Sequence, residues 1–364
     1  MGENLKKGLA IFWLSWHRNP YNDYLFNELS NYYKLDVTFV KEVLSSHPWS
    51  DSANVSFQQS YLINFRQLIR AFKQASDNYS LRVVAGWNHP VMILMIIFLS
   101  ITRKSFVIWS DTPNIQIKRS FVKKTLRNIW LSFIFKNAKA FMVTGKIGVS
   151  NAIQMGVDPK KVMNFPFATD VYHFMPRKAG QILNEFTSFI SSGRLVNSHK
   201  GFDVAIKAFG LLKKTHPELK FSYEIAGIGS DEAILKNLII SEDLESEVSL
   251  LGWIQQEGLV EFYQSGDIFL HPSHFDPYPN VVLEAMAVGL PIIGSDAAGS
   301  VCDRVEEGVN GFIFSDNDVN GLKNKIFKML TKVDGLPEMK LASRKTALKW
   351  GIKFNITQME QLIG

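Results

Sequence analysis

The sequence predicts an α/β protein of two domains, each built on a parallel sheet covered by helices on both faces. Short apolar runs of strand length alternate with helical patterns along the whole chain, the order from which parallel sheets are built. The runs are LAIFWLS, LDVTFVK, LRVVAG, KSFVIWSD, AKAFMVTG and KVMNFPF, then TSFISSG, FSYEIAG, VSLLGW, IFLHPS, LPIIGS and GFIF. A chain of 364 residues is too long for one small core and suits two domains of about 150–200 residues. The alternation breaks near residues 170–185, at Pro176 and Gly180, which sets the domains at 1–176 and 177–347. Residues 336–364 read as helical. Sheets of this kind take ligands at the carboxyl ends of their strands.

Residues 268–299 are the most informative stretch. An apolar strand runs into a polar loop, a short helix and a second strand. Asp276 and Glu284 flank the helix start, Pro279 suits its first turn, and Gly289 is its stop. The backbone N–H groups of Asn280, Val281 and Val282 are then free to face an anion. Glu284 falls one turn after Asn280, so both side chains share a face, with Asp276 in the loop beside it. An acid near a helix start can serve the dipole alone. Glu284, however, sits among Val281, Val282, Leu283, Met286 and Ala287, and a buried carboxylate needs partners. Two carboxylates and a helix N-terminus at a strand end suit a polyhydroxylated, phosphate-bearing ligand.

The segment Leu251–Gly299 resembles the signature region of family 4 glycosyltransferases (glycosyl transferases group 1), retaining enzymes of the GT-B fold. Their pattern is a pair of glutamates followed by Ala-Met-Ala-x-Gly-x-Pro. Here the run is Glu284-Ala285-Met286-Ala287-Val288-Gly289-Leu290-Pro291, and Asp276 stands in place of the first glutamate. The resemblance implies two Rossmann-like domains with parallel sheets facing an interdomain cleft. It further implies that Asp276 orients a donor sugar, that Glu284 accepts from ribose hydroxyls, and that Tyr278, Pro279, Asn280 and Val281 line the donor.

In residues 187–209 a buried strand leads into a loop with Gly193, Arg194 and Lys200, and then into an amphipathic helix. An Arg and a Lys in a loop are by themselves ordinary solvated surface. In the resembled family, a Gly-Arg-Leu strand end and a Lys-Gly-x-Asp helix start supply the cations that hold the donor diphosphate. A guanidinium can clamp two phosphate oxygens and an ammonium can act as a movable point charge against the leaving group. The Gly227-Ile228-Gly229 turn, which backbone geometry alone would explain, lies against the nucleotide in that family. The family also places the base near Trp253 and Ile254, and a packing role suits Trp253 equally.

The same resemblance assigns the acceptor to the first domain and the C-terminal helix, about 348–364, back onto it. Instead of a glycine-rich loop after its first strand, the chain has Ser15-Trp16-His17-Arg18-Asn19-Pro20. The acceptor-side candidates are His17, Asn88, His89 and Asp111. Where relatives keep a sugar-contacting histidine, this chain reads Trp109-Ser110-Asp111-Thr112, so that role passes to Asp111 or is missing. His89 before Pro90 also suits a plain turn.

Several function classes are excluded. The single cysteine, Cys302, rules out an internal disulfide and points to a reducing compartment. The run at 91–101 is shorter than a spanning helix requires. The N-terminal apolar run has no small-residue cleavage site and reads as a first strand, so a cytoplasmic location is expected. No metal is expected: eight scattered histidines have no ligand spacing, and Asp316-Asn317-Asp318 suits a helix cap. No cofactor is expected beyond a UDP- or GDP-linked sugar as donor substrate.

The basic stretch 118–137 alternates cations with Phe121, Leu126, Ile129, Trp130, Phe133 and Ile134 at helical spacing. That pattern fits a peripheral helix on an anionic membrane or a buried helix with a solvated basic face. No nucleic-acid module accompanies it, and nothing sets an oligomeric state. The expected activity is transfer of a sugar, with retention, to a saccharide or lipid-linked saccharide in cell-surface polysaccharide or glycolipid synthesis. A nucleotide-sugar epimerase and a catalytically silent partner subunit are the alternatives.

Overall fold

The computed structural model describes residues 8–41, 55–113, 115, 120–177, 186–331 and 335–363; Lys118, Arg119 and Gly180, used above, lie outside them. The chain forms two compact units, residues 1–169 with 352–364, and residues 170–351.

The first unit runs β1 (Ala10–Ser15), α1 (Pro20–Ser30), β2 (Lys34–Phe39), β3 (Gln58–Tyr61), α2 (Phe65–Ser76), β4 (Leu81–Ala85), α3 (Pro90–Ile101), β5 (Val107–Ser110), α4 (Phe121–Asn137), β6 (Ala140–Val143), α5 (Gly145–Gln154) and β7 (Val162–Asn164). Among the described residues its seven strands are parallel in the order β3-β2-β1-β4-β5-β6-β7. The period-2 alternation of strands sends Ile11, Trp13, Val83 and Val107 to one face, and Phe12, Leu14, Val84 and Ile108 to the other. Helix α1 covers the first face, and α2, α3 and α4 cover the second. Strand β3, with the sequence QQSY, has no apolar alternation to announce it. It pairs at the sheet edge, Asp36 opposite Gln58, where a polar strand is tolerated.

The second unit runs β8 (Thr187–Ser192), α6 (Asn197–Lys200), α7 (Phe202–Thr215), β9 (Phe221–Ala226), α8 (Glu232–Ser241), β10 (Val248–Gly252), α9 (Leu259–Ser265), β11 (Ile268–His271), α10 (Asn280–Val288), β12 (Ile292–Ser295), α11 (Gly299–Arg304), β13 (Gly311–Phe314), α12 (Val319–Thr331) and α13 (Leu336–Lys349). Among the described residues its six parallel strands are ordered β10-β9-β8-β11-β12-β13. The order reverses between β8 and β11, so the chain leaves these neighbours in opposite directions and opens a crevice at their carboxyl ends.

The last helix, α14 (Ile352–Ile363), belongs to the first unit. Ile352, Ile356, Met359 and Leu362 complete the core face that α1 covers. Asn355 Nδ2 donates to the Pro166 carbonyl over 2.8 Å, and Lys139 Nζ to the Leu362 carbonyl over 2.6 Å.

Candidate active site

The strand-order reversal of the second unit brings the ends of β8 and β11 side by side, and most of the sequence-derived residues gather there. Arg194 follows β8; it is exposed, and its guanidinium makes no hydrogen bond or ion pair among the described residues. Lys200 ends the four-residue α6, and its stem lies 3.5 Å from where a Cβ on Gly193 would stand. Its Nζ meets Asp276 Oδ2 at 2.5 Å, with both side chains largely shielded from solvent. The loop after β11 carries Asp276 and is tied to the β12–α11 loop by Gly299 N–H donating to the Asp276 carbonyl over 3.1 Å.

Asp276 also faces His271, whose Nε2 lies 3.4 Å from the same Oδ2 and 3.1 Å from Ser273 Oγ. Burial alone would raise the Asp276 pKa. Hydrogen bonding and charge from His271 and from Lys200 outweigh it and lower the value to about 2. Burial is the main cause that lowers the His271 pKa, only partly offset by Asp276. His271 is therefore a neutral partner near neutral pH and Lys200 the cation.

Glu284 is buried in α10, as its apolar neighbours require, and Tyr263 of α9 donates to its Oε2 over 2.8 Å. The Tyr263 hydroxyl lies 3.0 Å from Ser192 Oγ at the end of β8. A polar chain Glu284–Tyr263–Ser192 thus reaches the strand end that Gly193 and Arg194 continue, where Lys200 and Asp276 meet. Sequence reasoning missed His271, Tyr263 and Ser192. The one available signal for His271 was a polar residue closing the apolar strand IFLH; Tyr263 and Ser192 read as ordinary helix and strand residues.

Helix α10 begins at Asn280 with Pro279 as its N-cap, one position before the predicted first-turn place, because Pro279 keeps an extended backbone (ψ 120). No side chain caps this end, so its first N–H groups have no intrahelical acceptors. Asn280 Oδ1 is buried without a hydrogen-bond partner among the described residues. Gly289 ends the helix at φ +97. Tyr278 is buried beneath the loop, its hydroxyl donating to Asp303 Oδ2 over 3.2 Å, and Val281 is half-buried.

Gly227 and Gly229 are explained by backbone approach. A Cβ on Gly227, at φ +149, would stand 1.9 Å from the Gly193 carbonyl oxygen, and one on Gly229 would stand 2.3 Å from that of Leu195. The β8 and β9 loops therefore pack main chain to main chain. Gly227 N–H donates to the Gly252 carbonyl over 2.7 Å, which places Trp253 and Ile254 beside this turn. Trp253 is exposed and Ile254 half-buried.

In the first unit, His17, Asn88, His89 and Asp111 follow the adjacent strands β1, β4 and β5. Trp16 meets His89 edge-to-face at 4.3 Å. His89 Nδ1 accepts from Val91 N–H at 3.3 Å, capping α3, the turn role its sequence also suited. Burial and then the charge of Lys41 lower its pKa. Asp111 accepts from Thr144 Oγ1 over 2.7 Å and from Thr112 N–H over 2.7 Å. Asn88 is exposed, and the His17 carbonyl accepts from Asn22 Nδ2 over 3.3 Å. Among the described residues, no group of three His, Cys, Asp or Glu could hold a metal ion, and Asp318 Oδ1 accepts from Gly321 N–H at the start of α12.

Comparison with known proteins finds relatives for the half of the chain that carries this site. Residues 177–346 match the model of glycosyl transferases group 1. An uncharacterized glycosyltransferase of Haemophilus influenzae is 30% identical over 179 residues, 49% of either chain. The amylovoran biosynthesis glycosyltransferase AmsK of Erwinia amylovora is 29% identical over 220 residues, 58% of this chain and 50% of its own. The chain spans about half the length of the curated relatives it matches. Among solved structures, Anabaena Alr3699/HepE in complex with UDP superposes with a TM-score of 0.76 over 97% of this chain and 99% of its own, at 16% identity. That likeness gives the chain the GT-B fold of two Rossmann-like units.

Proposed function

We propose that this protein, whose residues 177–346 match the model of glycosyl transferases group 1, moves a sugar with retention from a nucleoside diphosphate sugar to a saccharide or lipid-linked saccharide. The single observation that supports the reading is that the Lys200–Asp276 ion pair, the Glu284–Tyr263–Ser192 chain and Arg194 all lie at the ends of β8 and β11, where the strand order reverses. The amylovoran enzyme among the relatives supports a place in polysaccharide synthesis, and the UDP held by Alr3699/HepE supports a UDP-linked donor.

Arg194, exposed and unpaired among the described residues, offers a fork of donors to the diphosphate. Lys200 keeps two of its three ammonium donors beyond the one given to Asp276, so it can serve phosphate and carboxylate together. The uncapped start of α10 adds positive potential as charge grows on the leaving diphosphate. Glu284, oriented by Tyr263, accepts from ribose hydroxyls, and Asp276, shorter by one methylene than glutamate, orients the donor sugar. His17, Asn88, His89 and Asp111 are the acceptor-side candidates. No cofactor takes part in this scheme, and a phosphate oxygen of the donor takes the acceptor proton.

Calorimetry with UDP and GDP tests the donor site. Binding of one nucleotide, lost in Arg194→Ala and Glu284→Gln, supports the reading, and absence of binding favours a silent partner subunit. Release of free nucleotide only when a saccharide acceptor is present separates transfer from epimerisation. An anomeric assignment of the product by NMR tests retention.

A further inference from the structure

We propose that the outer face of the α2–α3–α4 layer docks the protein on an anionic lipid bilayer. Each of these helices turns one stripe to the sheet: Ala71 and Ala75 from α2, Met92, Met95, Ile96 and Leu99 from α3, Leu131 and Ile134 from α4. Helical periodicity sends the opposite stripe to solvent, where polar residues are the rule. Here that side carries large apolar residues on all three helices, interleaved with cations on α2 and α4. Phe65 (74% exposed) and Ile69 come from α2, and Leu94 and Ile101 (75%) from α3. Val122, Leu126 (63%) and Ile129 (64%) come from α4, with Phe121 (83%) at its first turn. Single exposed apolar side chains are ordinary, but a face of them across three helices of one layer marks an interaction surface. Helix α4 buries Leu131 and Ile134 and exposes Lys123, Lys124 and Lys136 beside Phe121, Val122, Leu126 and Ile129, so its outer face is basic and apolar together.

Charge identifies the occupant. Helices α2, α3 and α4 contain no Asp or Glu. Residues 61–157 hold fourteen Lys and Arg against two acids, Asp77 and Asp111, although the whole chain carries only +6. Arg66, Arg70, Lys73, Lys123 and Lys136 are exposed and form no ion pair among the described residues. Apolar side chains bordered by unpaired cations match the layering of a bilayer surface, in which acyl chains lie below anionic headgroups. A folded protein partner would have to bring matching acids in register, and a nucleic acid would gain nothing from the apolar residues. The inference uses no residue of the second unit, so it stands or falls independently of the donor reading, and if right it favours a lipid-linked acceptor.

Co-sedimentation of the full chain with phosphatidylcholine vesicles, with and without phosphatidylglycerol, tests the proposal. Binding is expected only with phosphatidylglycerol, and it should weaken as salt is raised. The variant Lys73→Gln/Lys123→Gln/Lys136→Gln should lose at least about tenfold in partitioning. Leu126→Gln/Ile129→Gln should lose a similar factor, about tenfold. Both sets of substitutions lie on exposed positions, so an unchanged thermal midpoint confirms an intact fold. The proposal is overturned by wild-type protein that stays in the supernatant with phosphatidylglycerol, by equal binding to phosphatidylcholine alone, or by variants that bind as well as wild type. It is overturned too if the wild type is a dimer that Leu126→Gln/Ile129→Gln merely dissociates.

Discussion

The Tyr263 hydroxyl donates to Glu284 Oε2 over 2.8 Å, so the buried carboxylate of α10 is oriented by a side chain from the preceding helix α9. Tyr263→Phe removes that donor without changing the packing volume. It should cost about 1–2 kcal/mol of stability in urea unfolding, the range for a buried carboxylate that loses a hydrogen bond. UDP affinity should fall with it. An unchanged unfolding midpoint would mean that the bond does not hold Glu284.

Arg194 and Lys200 should separate binding from stability. Arg194 is exposed and, among the described residues, unpaired, so Arg194→Ala should shift stability by no more than about 0.5 kcal/mol. Nucleotide affinity should drop about tenfold or more through loss of a charge-assisted clamp. Lys200→Ala strands Asp276 in a shielded loop and should cost about 2 kcal/mol of stability as well as affinity. Melting curves and calorimetry on the two variants give both quantities.

Stability should fall in acid through Asp276. Burial works against its ionised form, but His271 and Lys200 prevail and hold its pKa near about 2, below the ordinary 3.8. Between those values the unfolded chain takes up the proton more readily than the folded one. The contribution, about 2 kcal/mol by linkage, is therefore complete above pH 4 and disappears as pH falls through 2. Denaturant titrations from pH 6 to pH 2 should show a shallower loss in Asp276→Asn than in wild type.

Two glycines at strand ends should respond unequally to alanine. Gly227→Ala drives a Cβ to 1.9 Å from the Gly193 carbonyl oxygen and should cost more than about 2 kcal/mol through forced separation of the β8 and β9 loops. Gly252, at φ +75 with nothing within 4 Å of its Cβ position, should cost about 1 kcal/mol, the left-handed penalty alone. Comparable thermal shifts in the two variants would contradict the close-approach explanation.

The parallel architecture was legible because buried strands such as AIFWLS and IFLH are near-continuous apolar runs, which only doubly covered parallel strands require. Strand β3 was not, since QQSY sits at an edge and buries no stripe. In the site, Glu284 was readable as an acid in an apolar helix. The ion pair of Lys200 with Asp276 was hidden, because 76 residues separate them in sequence and only the adjacency of β8 and β11 joins them. Tyr263 was hidden for the same kind of reason, as its place in α9 fits a packing residue equally well.

Helix α14 follows the whole second unit in sequence yet fills the core of the first. A ribosome therefore releases residues 170–351, a complete folding unit, before the first-made sheet receives its final layer. Until Ile352, Ile356, Met359 and Leu362 emerge, the nascent first unit presents an open apolar groove where they will lie, the kind of surface that chaperones shield. Truncation ahead of Ile352 would make that interval permanent, leaving a competent second half joined to an aggregation-prone first.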